Sequence, residues 1–301
     1  FVNEKPTNQF DGCYEVLALY LSHGILEPLA EMTTLICDDY DICLTNNCKN
    51  TSEFIKELTI HDCFEQSVFC NPYTLFQIKN ILFQHELKKP MLIFDDYRSS
   101  ALIRGFLESW DYSYVLQKIP DNPVNELSAR QMKHDFAEGY CDSILSIGGD
   151  QVIDYGKLVS MILNTDRNVS TEKPVLHIAI PLNRSTYSEA IPLIRLMKKD
   201  MLQTISDSFL LPDYVLIDPK FAAELPEETK KAMVLEAICL SGEAICLSST
   251  SVYYSNHAEK AFSDVLKHCF GFLNGNIAAT ETFMLARHLC HKLFFCYRGS
   301  L

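Results

Sequence analysis

The sequence predicts an α/β protein: a parallel-sheet domain followed by an all-helical region, with an extra segment ahead of both. Three observations carry this reading. Short apolar runs alternate with helical patterns of roughly 10–15 residues from about residue 72 to 180, the signature of βαβ units. That strand periodicity fades after Pro212, and three or so helices follow from Glu227 to Phe295. The composition of the 301 residues, 48% hydrophobic and 22% charged, is that of an ordinary globular chain. The expected divisions are 1–70, 71–212 and 213–301.

In the first segment, Gly12 to Met32 carries Leu and Val at spacings of three and four and reads as a helix. Asp38, Asp39 and Asp41 form an acidic patch, and Asn50-Thr51-Ser52 fits a glycosylation acceptor, a pattern common by chance. A short helix is expected from Ser52 to Leu58, with Thr51 or Ser52 as its N-cap. The α/β pattern then opens with a helix at Leu75–Gln84. Pro90 to Phe94 is a buried strand ending at Asp95-Asp96, followed by a helix from Ser99 to Trp110. A strand from Tyr112 to Gln117 leads into the turn Pro120-Asp121-Asn122-Pro123 and a helix from Glu126 to Glu138. Ser143 to Ile147 is the next strand, Gly148-Gly149-Asp150 a turn, and Val152 to Leu163 a helix. Pro174 to Ile180 and Tyr214 to Ile217 complete the strands. Ligands of such sheets sit at the carboxyl ends of the strands, which selects Asp95, Asn122, Gly148, Gly149 and the loop after Pro181.

Charge and cysteine content exclude several classes. Lys and Arg number 26 against 39 Asp and Glu, a net charge of −13, the opposite of what neutralises nucleic-acid phosphates. No apolar run reaches the length of a membrane helix, and no basic-then-apolar leader is present. The 12 cysteines are scattered, without Cys-x-x-Cys or a zinc-ribbon spacing, and read as free thiols of a reducing compartment, the cytoplasm or an organelle matrix. The first residue is Phe1, as expected of a processed or truncated product. Glycine is scarce: 11 residues, about half the average usage of roughly 7%.

The order of segments resembles a known family. Gly148-Gly149-Asp150-Gln151-Val152-Ile153-Asp154-Tyr155-Gly156-Lys157 is similar to the Gly-Gly-Gly-Ser-x-x-Asp-x-x-Lys signature of iron-containing, metal-dependent alcohol dehydrogenases, whose superfamily includes glycerol dehydrogenase and dehydroquinate synthase. Ile180 to Glu189 resembles the family's Ile-Pro-Thr-Thr-x-Gly-Thr-Gly-Ser-Glu loop. Pro212 to Pro219 resembles its Pro-x-x-x-x-x-Asp-Pro lead into the helical domain, and Asp121-Asn122-Pro123 its Pro-Asn-Pro turn. Together these pieces span roughly residues 70–299. The resemblance implies a Rossmann-like domain followed by a helical domain, as in dehydroquinate synthase. It implies NAD bound across the first and a divalent iron or zinc ion held by the second, polarising an alcohol or carbonyl oxygen during hydride transfer. On this basis Asp95, Asn122, Gly148, Gly149, Asp150, Asp154, Lys157, Thr186 and Ser188 are the cofactor positions. Asp95 falls where the family binds the adenosine ribose and favours NAD, or is a plain strand-end turn residue. Asp154 and Lys157 match the family's Asp-x-x-Lys, or form a solvated pair on a helix.

The sequence departs from the family at the places that carry its chemistry. Asp150 stands where a third glycine lets backbone N–H groups close on a diphosphate. A carboxylate about 5 Å from a phosphate charge is repelled by roughly 3 kcal/mol at an effective dielectric near 20. The competing reading makes Asp150 the N-cap of the helix beginning at Gln151. Ser185 and Tyr187 replace both glycines of the second loop. The family's Asp-Ala-Leu-x-His-Ala-x-Glu aligns with Glu236-Ala237-Ile238-Cys239-Leu240-Ser241-Gly242-Glu243. Glu236 can still ligate a cation, Leu240 has no donor atom, and Cys239 is either a substitute thiolate or core filling. The remaining histidine ligands align just beyond Gly299, while His288 and His291 are expected on the outer part of a helix. The expected function is a catalytically degenerate or strongly altered member of this fold, acting as a structural or interaction module with a protein partner or a second copy of itself. The alternative is an active NAD-dependent dehydrogenase of a small alcohol or aldehyde.

Overall fold

The computed structural model describes residues 66–166, 173–182, 188–198, 201–247 and 252–299. The helices expected at Gly12–Met32 and Ser52–Leu58, and the positions Arg184, Ser185, Thr186 and Tyr187, lie outside the described residues.

The described residues open with β1 (Ser67–Cys70) and a 3-10 turn into helix α1 (Gln77–Gln84). Then come β2 (Pro90–Phe94), α2 (Tyr97–Ser109), β3 (Val115–Lys118), α3 (Glu126–Glu138), β4 (Ser143–Gly148), α4 (Asp150–Asp166) and β5 (Leu176–Pro181). A hairpin, β6 (Leu193–Lys198) and β7 (Met201–Ser206), separates β5 from β8 (Tyr214–Ile217). The helical half is α5 (Pro219–Ala223), α6 (Glu227–Leu247), α7 (Val252–Leu273) and α8 (Ile277–Gly299).

Six strands form one sheet in the order β1-β8-β5-β4-β2-β3, with all neighbours parallel. The sheet takes in β1 and β8, so it extends past residues 71 and 212 on both sides. The apolar runs of β2 and β4 are buried along their whole length, as strands covered on both faces require. Their side chains alternate between two cores. Leu92, Phe94, Leu145 and Ile147 meet Ile78 and Leu82 of α1 and Ile103 and Leu107 of α2. Met91, Ile93 and Ile144 meet Ala129 and Met132 of α3 and Val152, Tyr155 and Val159 of α4. A third cluster joins the β8 residues Val215 and Ile217 to the helical half through Ala237, Val265, Phe272, Phe283 and Cys290. Within it the rings of Phe272 and Phe283 stack at 4.3 Å.

The connections fix where a ligand could sit. From β2 the chain moves outward to β3, then crosses back over β2 to β4. Successive connections therefore leave β2 and β4 in opposite directions, and a crevice opens between their carboxyl ends.

Candidate functional site

Asp95 follows β2 directly and Gly148 closes β4, so the crevice is bounded by these two residues. Gly148 has φ +154°, and a Cβ placed there would stand 2.6 Å from Cγ2 of Val152 and 3.2 Å from Oδ1 of Asp95. Only glycine fits both the backbone angle and that space. The exposed carboxylate of Asp95 accepts the N–H of Asp96 at 2.7 Å. Leu182 N–H donates to the Gly148 carbonyl at 2.9 Å, tying the loop after β5 to the same turn.

The start of α4 differs from expectation. The Gly149 carbonyl accepts from the N–H groups of Val152 and Ile153 at 3.0 and 3.2 Å, so Gly149 is the N-cap. Asp150 is the first helical residue rather than the cap. Its charge still favours the positive helix end. The N-terminus that would receive a phosphate thus carries its own carboxylate.

Asn122 is exposed in the turn after β3. That turn is held from behind by two residues the sequence did not single out. Asn125 caps α3 by accepting from Ser128 N–H at 2.9 Å, and its amide donates to the Pro123 carbonyl at 3.0 Å. Tyr155 of α4 donates its hydroxyl proton to the same carbonyl at 3.2 Å.

Asp154 and Lys157 are not a solvated pair. Lys157 is fully buried, and its ammonium lies 3.4 Å from Oδ1 of Asp154. It donates to the Ser188 carbonyl at 2.7 Å, the Ser188 hydroxyl at 3.0 Å and the Leu193 carbonyl at 2.5 Å. The Ser188 hydroxyl in turn donates to Asp154. Burial pushes the Asp154 carboxyl up and the Lys157 ammonium down, and the mutual ion pair opposes both shifts. Asp154, Lys157 and Ser188 are therefore brought together, as a brace between α4 and the segment leading into β6.

On the far side of α4 a second buried group lies outside the sequence reading. The His177 Nε2 and the Ser146 hydroxyl are 2.7 Å apart, packed against the helix at Gly156. Burial first, then the Lys157 charge, lowers the His177 pKa to about 3, so the ring is neutral.

In the helical half, Glu236 is 31% exposed and bonded to Arg287 of α8, whose side chain is 3% exposed. Its Oε2 accepts from Nε at 3.2 Å and from Nη2. His291 Nε2 stands 3.7 Å from the other carboxylate oxygen. Leu240 packs against the apolar cluster of the helical half, and Cys239 is exposed rather than core filling. His288 and His291 are both buried, not on the outer part of a helix. The signal was legible: Phe283, Ala286, Arg287, Cys290 and His291 recur at helical spacing on one stripe, which faces inward. Burial holds His291 neutral down to about pH 3.

These residues do not fit a catalytic metal. Two N–H groups of a guanidinium occupy one oxygen of the carboxylate, and the position one turn on has no donor. Among the described residues, the only group of three or more His, Cys, Asp or Glu ligand atoms lying together is His134, Asp135 and Glu138 on the surface of α3.

The iron-containing alcohol dehydrogenase family model matches residues 65–219, just over half of the chain. The chain belongs to that family. None of the curated proteins matches the sequence. Solved structures share the fold. An alcohol dehydrogenase from Oenococcus oeni has TM-score 0.64 and 18% identity over 75% of this chain and 64% of its own. Maleylacetate reductase from Rhizobium has TM-score 0.64 and 13% identity over 76% and 63%. Sulfoacetaldehyde reductase from Bifidobacterium kashiwanohense, solved with NAD+, has TM-score 0.61 and 16% identity over 76% and 65%. The chain spans less than two thirds of the length of each of these proteins and shares their fold. No helix among the described residues is long and apolar enough to cross a membrane.

Proposed function

We propose that this family member has lost or strongly altered the metal-assisted hydride chemistry and serves as a structural or interaction module. The observation that carries the reading is the Glu236–Arg287 ion pair. A divalent cation at this position would have to displace an internal cation that is already desolvated and hydrogen-bonded, and among the described residues only His291 stands beside the carboxylate, one donor where a catalytic site uses three protein ligands. The crevice between β2 and β4 supports the same reading. Asp150 opposes a diphosphate at the helix end, and Lys157, the family's second signature residue, spends its N–H groups on protein acceptors.

One observation favours the alternative of an active NAD-dependent dehydrogenase. Asp95 and Gly148 keep the juxtaposition that a ribose-binding carboxylate and a phosphate-turn glycine require. A fluorescence titration with NADH, with and without zinc or ferrous ion, separates the two. We expect no saturable NADH signal and no dependence on metal. Tight binding with metal-dependent turnover of a simple alcohol or aldehyde would establish the alternative. Cys70, Cys141, Cys239, Cys246, Cys269 and Cys290 are free thiols, which supports a reducing compartment, the cytosol or an organelle matrix. A protein partner or a second copy is the binding partner we assign, and the acidic charge argues against nucleic acid.

A further inference from the structure

The outer sides of α1 and α2 leave aromatic rings in solvent. Tyr73, Phe76 and Phe83 are 63%, 49% and 80% exposed, and Leu102 of α2 is exposed beside them in the same layer. Phe76 and Phe83 stand two helical turns apart on one face. The Phe76 ring lies 5.1 Å from Phe106 and 6.4 Å from Trp110, which stack on each other at 5.3 Å. Tyr73, 6.4 Å from Phe76, takes φ +85°, a left-handed backbone that bulky side chains rarely adopt. A contiguous apolar surface of this kind marks a binding face.

Two lysines frame the patch, and each rests on a ring. The Lys79 ammonium is 5.8 Å from the Trp110 ring centre, and that of Lys220 is 3.8 Å from the Tyr73 ring centre. Among the described residues neither is ion-paired. The acids bordering the patch are largely engaged: Glu108 accepts from the Tyr114 hydroxyl and Glu86 pairs with Lys173, which leaves Asp111 after Trp110. The patch is thus weakly basic on a chain of net charge −13. Residues 1–65 hold 12 acidic and 3 basic side chains, 3 − 12 = −9 of that total. Gly12–Met32 carries Glu15, Glu27 and Glu31 and neither lysine nor arginine.

We propose that the segment Gly12–Met32 of the same chain covers this patch, its leucines on the aromatic rings and its glutamates toward Lys79 and Lys220. Charge complementarity is one reason. The point of attachment is the second. Ser67, which residues 1–65 reach through Gln66, pairs with Tyr214, whose hydroxyl lies 2.8 Å from Nε2 of His85, one residue past α1. The chain therefore enters the sheet beside the end of α1 that carries Phe83. Tethering is the third. The 33 residues between Met32 and Gln66 can reach about 110 Å when extended, more than enough to span the patch. Such a link holds the segment at an effective concentration on the order of 1 mM, so a free partner at micromolar concentration would need roughly a thousandfold higher affinity to displace it.

Trp110 is the single tryptophan of the chain, so its fluorescence reports on the patch directly. In the full chain we expect acrylamide to quench it weakly. The double variant Leu17→Lys, Leu21→Lys lies outside the parallel sheet and should at least double the quenching constant with the thermal melt unchanged. Carbodiimide treatment of the full chain should join Lys79 to Glu15, Glu27 or Glu31, identified by peptide mass. In a mixture of ¹⁵N-labelled and unlabelled chains those joined peptides should carry one isotope each, as a link within one chain requires. Quenching that the double variant leaves unchanged would overturn the proposal. So would joined peptides of mixed isotope, which would assign the patch to a second copy, or no link from Lys79 to residues 12–32, which would leave it to a foreign partner.

Discussion

Replacing Glu236 with glutamine tests whether Arg287, and not a metal ion, is the partner for which this carboxylate is kept. Arg287 is 2% exposed, so its guanidinium depends on protein acceptors for much of its lost hydration. Removing one partner of a buried pair costs about 3–5 kcal/mol, and the 31% exposure of Glu236 places this case lower, near 2 kcal/mol. For a chain of this size that corresponds to roughly a 5 °C fall in melting temperature. Arg287→Leu should cost less, because the carboxylate it abandons can turn to water. The double variant should recover much of the loss, leaving a coupling energy of at least ~1 kcal/mol. Differential scanning calorimetry of all four proteins, each with EDTA and with zinc, gives the cycle. The reasoning fails if Glu236→Gln is neutral, or if EDTA lowers and zinc raises the wild-type melt.

Three further outcomes follow from the geometry. Asp150→Gly removes the carboxylate at the start of α4 and should tighten NADH binding by up to about a hundredfold, read by fluorescence titration; no gain would mean that other groups close the crevice. Gly156→Ala would place a Cβ 2.6 Å from His177 Nε2 and 2.9 Å from Ser146 Cβ, and should destabilise the fold by about 1–2 kcal/mol after its helix-propensity gain. Gly105→Ala, with nothing within 4 Å of its Cβ, should instead stabilise by roughly 0.5–1 kcal/mol, and thermal melts of the two variants make the contrast. Burial holds His177 neutral down to about pH 3 and His257 down to about pH 4. The unfolded chain takes up these protons near pH 6.5 and the folded chain does not. Their contribution is therefore complete well above pH 6.5 and is lost as pH falls toward the folded values, about 1 kcal/mol for each such histidine between pH 7 and 5.5, the buried His291 adding to the same loss. Urea midpoints at the two pH values check this, and an unchanged midpoint would contradict it.

The parallel sheet was legible because β2, β4 and β5 are apolar runs bounded by Pro, Asp and Gly, a pattern that follows from burial on both faces. β1 and the hairpin were not. Ser67 to Cys70 is only four residues long, and β7 alternates weakly because almost all of it is exposed. At the site, the crevice positions Asp95 and Gly148 could be placed from strand ends alone, since topology puts them there. The burial of Lys157 could not, because it depends on carbonyls of Ser188 and Leu193, 31 and 36 residues away, turning back onto α4. Arg287 was missed for a similar reason. Its role exists only once α8 lies against α6 and brings together residues 51 positions apart.

Gly148 has a consequence for how such chains are recognised. A Cβ at this position is excluded by Val152 and crowded by Asp95, neighbours within the protein, and would be excluded equally if no nucleotide ever entered the crevice. A glycine shaped by a phosphate loop can thus outlive the phosphate, retained as a steric fossil by the packing that grew around it. In this fold the informative position is the next turn of chain: an aspartate at residue 150, the first of the helix, changes what the turn can hold.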